Sequence, residues 1–240
     1  MKFLKIEIPK AKLLSIPKNE RIFLVQIGNL MNDLNVLQKA LAFTMNVDTS
    51  DRTIRAAQGG QASLLMRIQA GKLWEGWQML QKDFFSSKLS AEYGSQLEPN
   101  SKQNLVDLKK YFSKDNKIKD IRNNYAFHYS SDEYEKLIDK APKEEVFELF
   151  VSDNAGNTLY QLSNVLINFA MLDCKKADEI VDKIKGLYEE ILQVTKSFVG
   201  LIAGCSLVIA KKYLGLESVE VSIPEPCGLN DVQFPYFVKP

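Results

Sequence analysis

The chain carries a single histidine, His128, near the end of the run Ile121-Arg122-Asn123-Asn124-Tyr125-Ala126-Phe127-His128-Tyr129. Imidazole moves a proton near neutral pH, so histidine acid–base chemistry has one address in this protein. The arginine of the same run offers a fixed guanidinium whose paired donors match a phosphate. Together they point to chemistry on a phosphodiester, carried out without a metal. One histidine and scattered acids make no zinc set. No phosphate-cradling glycine loop is present, and no serine or cysteine nucleophile has a marked base. No cofactor is implied.

Net charge is +1 over 240 residues. A nearly neutral chain binds nucleic acid only through a local patch. Lys109, Lys110, Lys114, Lys117 and Lys119 cluster just before the histidine run. By default such a cluster is a solvated face; bordering a cleft, it would supply a positive rim. The odd set Cys174, Cys205 and Cys227 reads as reduced thiols, with Cys205 in the core. The apolar run Phe198 to Ala210 is shorter than the roughly 20 residues a spanning helix needs. With no secretory signal at the start, the expected location is the cytoplasm, off the membrane.

These residues must be positioned by helices. Apolar residues recur at steps of three and four from Asn19 to about Val47, and again from Arg52 to about Phe85. Asp48-Thr49-Ser50-Asp51 supplies caps between the two. Gly59-Gly60-Gln61 matches the tripeptide of peptide-release factors, but helical pattern flanks it, so it reads as a packing notch. Trp74 and Trp77 read as core rather than as a base-stacking platform. A polar connector from Ser86 to Ser101 leads to a helix over about Lys102 to Ser113. The motif helix is expected over Lys117 to Tyr129, and a capping box at Ser130-Ser131-Asp132-Glu133 starts a further helix ending at Lys140. Leu159 to Leu172 and Lys175 to about Leu214 are also predicted helical. The expectation is one all-α domain over 17–214, an antiparallel helical bundle. It is flanked by an N-terminal arm, 1–16, and a proline-containing C-terminal tail, 215–240, whose β-like run Val219 to Ile223 could pair with the arm.

On one continuous helix, Arg122 and His128 would sit about 120° apart around the axis, at ~100° per residue. They would not address the same spot by default. A bent arginine, or a second copy of the helix from a symmetry mate, would bring them together.

An arginine, a polar residue and, after a short spacer, a histidine is the motif of the HEPN superfamily. These are helical-bundle proteins of prokaryotic toxin–antitoxin, abortive-infection and CRISPR systems and of some eukaryotic RNases. The run Arg122 to Tyr129 resembles the version in HEPN-like proteins of bacterial mobile and defence elements, and so does the segment Leu64-Leu65-Met66-Arg67-Ile68-Gln69-Ala70-Gly71-Lys72-Leu73-Trp74-Glu75. The resemblance leaves out 1–16 and 215–240. It implies a HEPN-like fold and metal-independent RNA cleavage, in which the ribose 2′-OH attacks the adjacent phosphorus and leaves 2′,3′-cyclic phosphate and 5′-OH ends. His128 would be the general base or acid, Arg122 would hold the scissile phosphate, and Asn123 would orient one or the other. Asn124, Lys117, Lys119 and Tyr129 would contact the substrate. The implied partners are a second copy completing a composite site, the RNA, and a cognate antitoxin or regulator. The competing class is a non-catalytic bundle that binds RNA, a nucleotide or a protein, with His128 a hydrogen-bonded core residue and Arg122 paired to an acid such as Asp120.

Overall fold

The computed structural model describes residues 3–46, 49–127, 131–174, 176, 179–215 and 218–239, with Glu133 by its backbone alone. The protein is an all-α helical bundle. In chain order its elements are β1 (Phe3–Lys5), α1 (Lys10–Ser15), α2 (Lys18–Met45), α3 (Arg52–Met79), α4 (Leu89–Gly94), α5 (Pro99–Phe112), α6 (Lys117–Asn124), α7 (Ser131–Lys140), α8 (Gln161–Leu172), α9 (Glu179–Ile209) and β2 (Val219–Val221). π-helical turns extend α3 through Leu80–Phe85 and α9 through Ala210–Leu214. The long helices begin and end close to the expected positions. The connector after Phe85 is less open than expected, because it folds into α4 and the first turn of α5, where Pro99 takes the first helical position.

The chain divides into two compact units, Met1–Asn35 with Lys72–Lys114 and Gln193–Gly228, and Val36–Gly71 with Asp115–Leu192 and Leu229–Pro240. The boundary falls within α2, α3 and α9, so each contributes a segment to either unit.

In the first unit Phe23, Ile27, Leu30 and Leu34 repeat along α2 at helical spacing and are buried. Trp77 stacks on Phe112 with ring centroids 4.8 Å apart, and Phe112 meets Phe198 edge-on at 6.1 Å. The tryptophan is thus core, as its apolar neighbours imply. Helix α9 presents Gly200 and Gly204 to α5, where Ser101 Oγ donates to the Gly200 carbonyl at 3.0 Å. The arm and tail pair as expected: Phe3 opposes Val221 and Lys5 opposes Val219 in an antiparallel ladder. The arm also contains α1, which its loose alternation did not announce. Glu20, buried at the start of α2, gathers Tyr93 from α4 and Tyr213 and Lys212 from the π turn after α9.

In the second unit Asp51 caps α3, its Oδ1 accepting from Ile54 N–H at 2.9 Å. The amide of Asn164 on α8 lies against Gly60, so close that a Cβ there would be 2.2 Å from Nδ2. Gly60 is therefore the notch that lets α3 and α8 approach. The end of the tail is held by two side-chain amides. The Gln58 side chain donates to the Phe234 carbonyl at 3.3 Å and accepts from Tyr236 N–H at 3.2 Å, while Asn157 pairs twice with Val238.

By length and composition Glu179–Leu214 is apolar enough to cross a membrane, a test that the shorter run within it did not meet. Half of its most apolar window is buried within the fold. Cys205 in that window is 1 % exposed, and burial pushes its thiol pKa up to about 12. Burial also raises Cys174, with Lys183 opposing the shift, whereas Cys227 is exposed. Alkylation proceeds through the thiolate. Iodoacetamide at pH 8 is expected to modify Cys227 first, Cys174 slowly and Cys205 only after denaturant is added. Peptide mass spectrometry over a time course reads the order, and early labelling of Cys205 would contradict its packing.

Candidate functional site

Helix α6 is specified locally at its start. Asn116 caps it, its side-chain oxygen accepting from Lys119 N–H at 2.9 Å. Ile118 and Ile121 are fully buried and fix one face inward. The rest of the helix then turns out to half-buried or exposed positions: Lys117, Lys119, Arg122, Asn123 and Asn124. Arg122 Nη1 donates to Asn123 Oδ1 at 3.3 Å, and Asn124 Nδ2 donates to Asp120 Oδ1 at 2.7 Å. Lys117 lies 3.5 Å from Asp120 and Lys119 lies 3.3 Å from Asp115. Pairs as exposed as these are worth about 0–1 kcal/mol, so a phosphate can compete for either ammonium.

The motif helix is shorter than its spacing predicts: it ends at Asn124 rather than running on to Tyr129. The N–H groups of Tyr125 and Ala126 both bond the Ile121 carbonyl at 2.9 Å, which closes the last turn. Arg67 of α3 then takes the Tyr125 carbonyl, Nη1 donating at 2.9 Å. Tyr125 OH donates to the Ala170 carbonyl of α8 at 3.4 Å. Phe127 is 58 % exposed, yet its ring rests on Gly71, where a Cβ would stand 2.8 Å from Cε2. Arg67 and Gly71 lie one helical turn apart, so α3 receives the exit of α6 with one face. The continuous helix assumed for that offset therefore ends at Asn124. His128 and Tyr129 lie outside the described residues.

At this exit is a cavity of about 230 Å³. Its walls are Arg67, Asn124 and Tyr125 with Tyr134, Lys136 and Lys140 of α7, over Leu137 and Ile167. Three of these side chains are cationic and none is a carboxylate. Lys136 and Lys140 share a face of α7 at four-residue spacing. Among the described residues, neither has a carboxylate at ion-pair distance.

Of the residues expected at the site, Asn124 lines this cavity; Arg122, Asn123, Lys117 and Lys119 do not. Lys109, Lys110 and Lys114 belong to the other unit, where Lys109 lies over the Phe85 ring at 4.8 Å from its centroid. Tyr134, Lys136 and Lys140 escaped the sequence reading. Their signal was present as two lysines on one helical face, but the surrounding acids of α7 masked it.

Among the described residues no three of histidine, cysteine, aspartate and glutamate come together as a metal-holding group. No protein-family model matches this chain, nor does a curated protein or a solved structure. The chemistry of the cavity is that of an anion receptor: fixed positive charge, amide and phenol groups, and an apolar floor.

Proposed function

We propose that the protein is a HEPN-like, metal-independent endoribonuclease of a defence or toxin–antitoxin setting. It acts in the cytoplasm as a homodimer with a composite site. The observation that carries this reading is the meeting of the two family-like stretches. Arg67 and Gly71 of the upstream stretch hold Tyr125 and Phe127 of the motif, beside a cavity whose charged lining, among the described residues, is positive. A nearly neutral chain that gathers three cations at its motif offers the local patch that RNA binding requires.

In this reading His128 moves the proton of the attacking 2′-OH or of the leaving 5′-oxygen. Arg122 stabilises the charge that develops on phosphorus-bound oxygen, and Asn123, already an acceptor for that guanidinium, sets its direction. A second reading, a non-catalytic RNA- or nucleotide-binding bundle, uses the same cavity without the proton transfer.

The deciding experiment is cleavage of a mixed RNA pool with EDTA present, by wild type and His128→Ala. Loss of a positioned acid–base group is expected to slow cutting by roughly 10²–10⁴-fold. The wild-type products should carry 2′,3′-cyclic phosphate ends, and the chelator should change nothing. Silence from both proteins, with RNA still bound, would move the conclusion to the binding module. Equal cutting by both would remove His128 from the mechanism.

A further inference from the structure

We propose that the cavity at the exit of α6 is a nucleotide subsite. It seats one phosphate of a single-stranded RNA on Arg67, Lys136 and Lys140, with that nucleotide's base against Tyr134 and Leu137. The inference rests on the RNA reading above and adds to it the residues that hold the strand beside the reacting bond.

Charge points to an anion. The C-terminus of a helix carries partial negative charge and by itself repels phosphate. Here Arg67 takes the terminal Tyr125 carbonyl, which sets a full positive charge against that partial negative one, and two lysines add to it. Charge alone would suit inorganic phosphate equally well. Half-buried Tyr134 and Leu137 supply the flat, apolar wall that a nucleobase uses and a bare anion does not. The volume, about 230 Å³, is small for a drug-sized ligand, so the site reads one nucleotide and leaves the rest of the strand outside. Asn124, two residues after Arg122 on α6, lines the same cavity, which sets the subsite next to the motif.

The test uses the full-length protein and a labelled 2′-O-methyl oligonucleotide, in which the attacking hydroxyl is blocked, so binding is read without cleavage. Fluorescence anisotropy should show Lys136→Ala/Lys140→Ala binding about tenfold weaker or worse. Its log–log salt slope should be smaller by about 0.7, the share of one single-strand phosphate. Both lysines are exposed, so the double variant should fold. Lys136→Arg/Lys140→Arg should recover most of the affinity.

Calorimetry with adenosine 3′-monophosphate, adenosine and inorganic phosphate separates the sources of binding. The nucleotide should bind more tightly than either fragment. Inorganic phosphate binding as tightly as the nucleotide would overturn the base wall. Unchanged oligonucleotide affinity and slope in the alanine double variant would overturn the subsite, even if the wild type cuts RNA. Lysine-dependent binding without any cleavage would keep the subsite and remove the nuclease.

Discussion

Glu20→Ala is expected to cost about 3 kcal/mol of folding stability, the scale on which removing one member of a buried charged network acts. Glu20 is 7 % exposed. Its Oε1 accepts from Tyr213 OH at 2.8 Å, and its Oε2 accepts from Tyr93 OH and faces Lys212 Nζ at 3.5 Å. Lys212 also pairs with Glu92, and its ammonium lies 4.7 Å from the Tyr213 ring centroid. Truncation takes the acceptor from both phenols, one of them fully buried, and hydrogen bonds to a charged group are worth about 1.5–3 kcal/mol each. The lysine keeps Glu92 and partial access to water, so its share is small. Glu20→Gln, which keeps one carbonyl acceptor, should lose roughly half as much. Urea denaturation of the three proteins reads the difference, with an unchanged m-value; a loss below about 1 kcal/mol for the alanine would show that water replaces the carboxylate.

The same cluster sets an alkaline limit. Burial, the hydrogen bond to Glu20 and its negative charge raise Tyr93 far above its ordinary 10.0. The hydrogen bond to Glu92 raises Lys212 above its ordinary 10.5. Both groups hold their protons in the folded chain at pH values where the unfolded chain has released them. Their contribution is complete below pH 10 and is lost as pH rises beyond it. Stability should be flat from pH 7 to 8 and begin to fall near 9, where the unfolded chain ionises the thiol that burial keeps protonated at Cys205. It should fall more steeply above 10, where Tyr93→Phe should fall less steeply.

Two alanine substitutions in α9 are expected to have opposite signs. At Gly204 a new Cβ would stand 2.6 Å from Ser101 Cβ and 3.2 Å from Leu97 Cδ2. The first of these is a carbon fixed to the α5 backbone and cannot rotate away, so the helices must part. Overpacking of this kind costs about 1–3 kcal/mol, more than the ~1 kcal/mol that alanine returns in helix propensity. Gly204→Ala should therefore lose up to about 2 kcal/mol. Ser101→Gly, which removes the obstructing carbon, should reduce the additional cost of Gly204→Ala when the two are combined. At Gly186 nothing lies within 4 Å of the built Cβ. Gly186→Ala should gain about 0.5–1 kcal/mol. Thermal unfolding of the single and double variants checks the pattern, and a stabilised Gly204→Ala would refute the tight α5–α9 approach.

Where an element depends on its own residues, it was legible. The three- and four-residue recurrence along α2 returns as buried Phe23, Ile27, Leu30 and Leu34. Along α3 and its π turn, Leu73, Trp77, Leu80 and Phe84 are buried, whereas Leu64 is 45 % exposed and Met66 and Ala70 take the inward positions. Asp51 caps α3, and the Gly60 notch meets a neighbouring helix as expected. The pairing of arm and tail was anticipated from two short alternating runs. The candidate site was legible as chemistry and not as geometry. Arg122, Asn123 and Asn124 stand on α6 as expected, but the cations nearest Asn124 in the cavity come from α3 and α7.

The helical class, the boundaries that carry their own caps, and the inventory of one imidazole and a local excess of basic residues are all written in the residues themselves. Periodicity and capping act within one or two turns and need no distant partner. Where α6 stops, and what surrounds its end, depends on contacts between distant segments. The stop is enforced by Arg67, 58 residues away from the carbonyl it takes, and by the room that Gly71 leaves for Phe127. Both are packing relations between helices, and a carbonyl carries no mark in the sequence of the distant donor that will claim it.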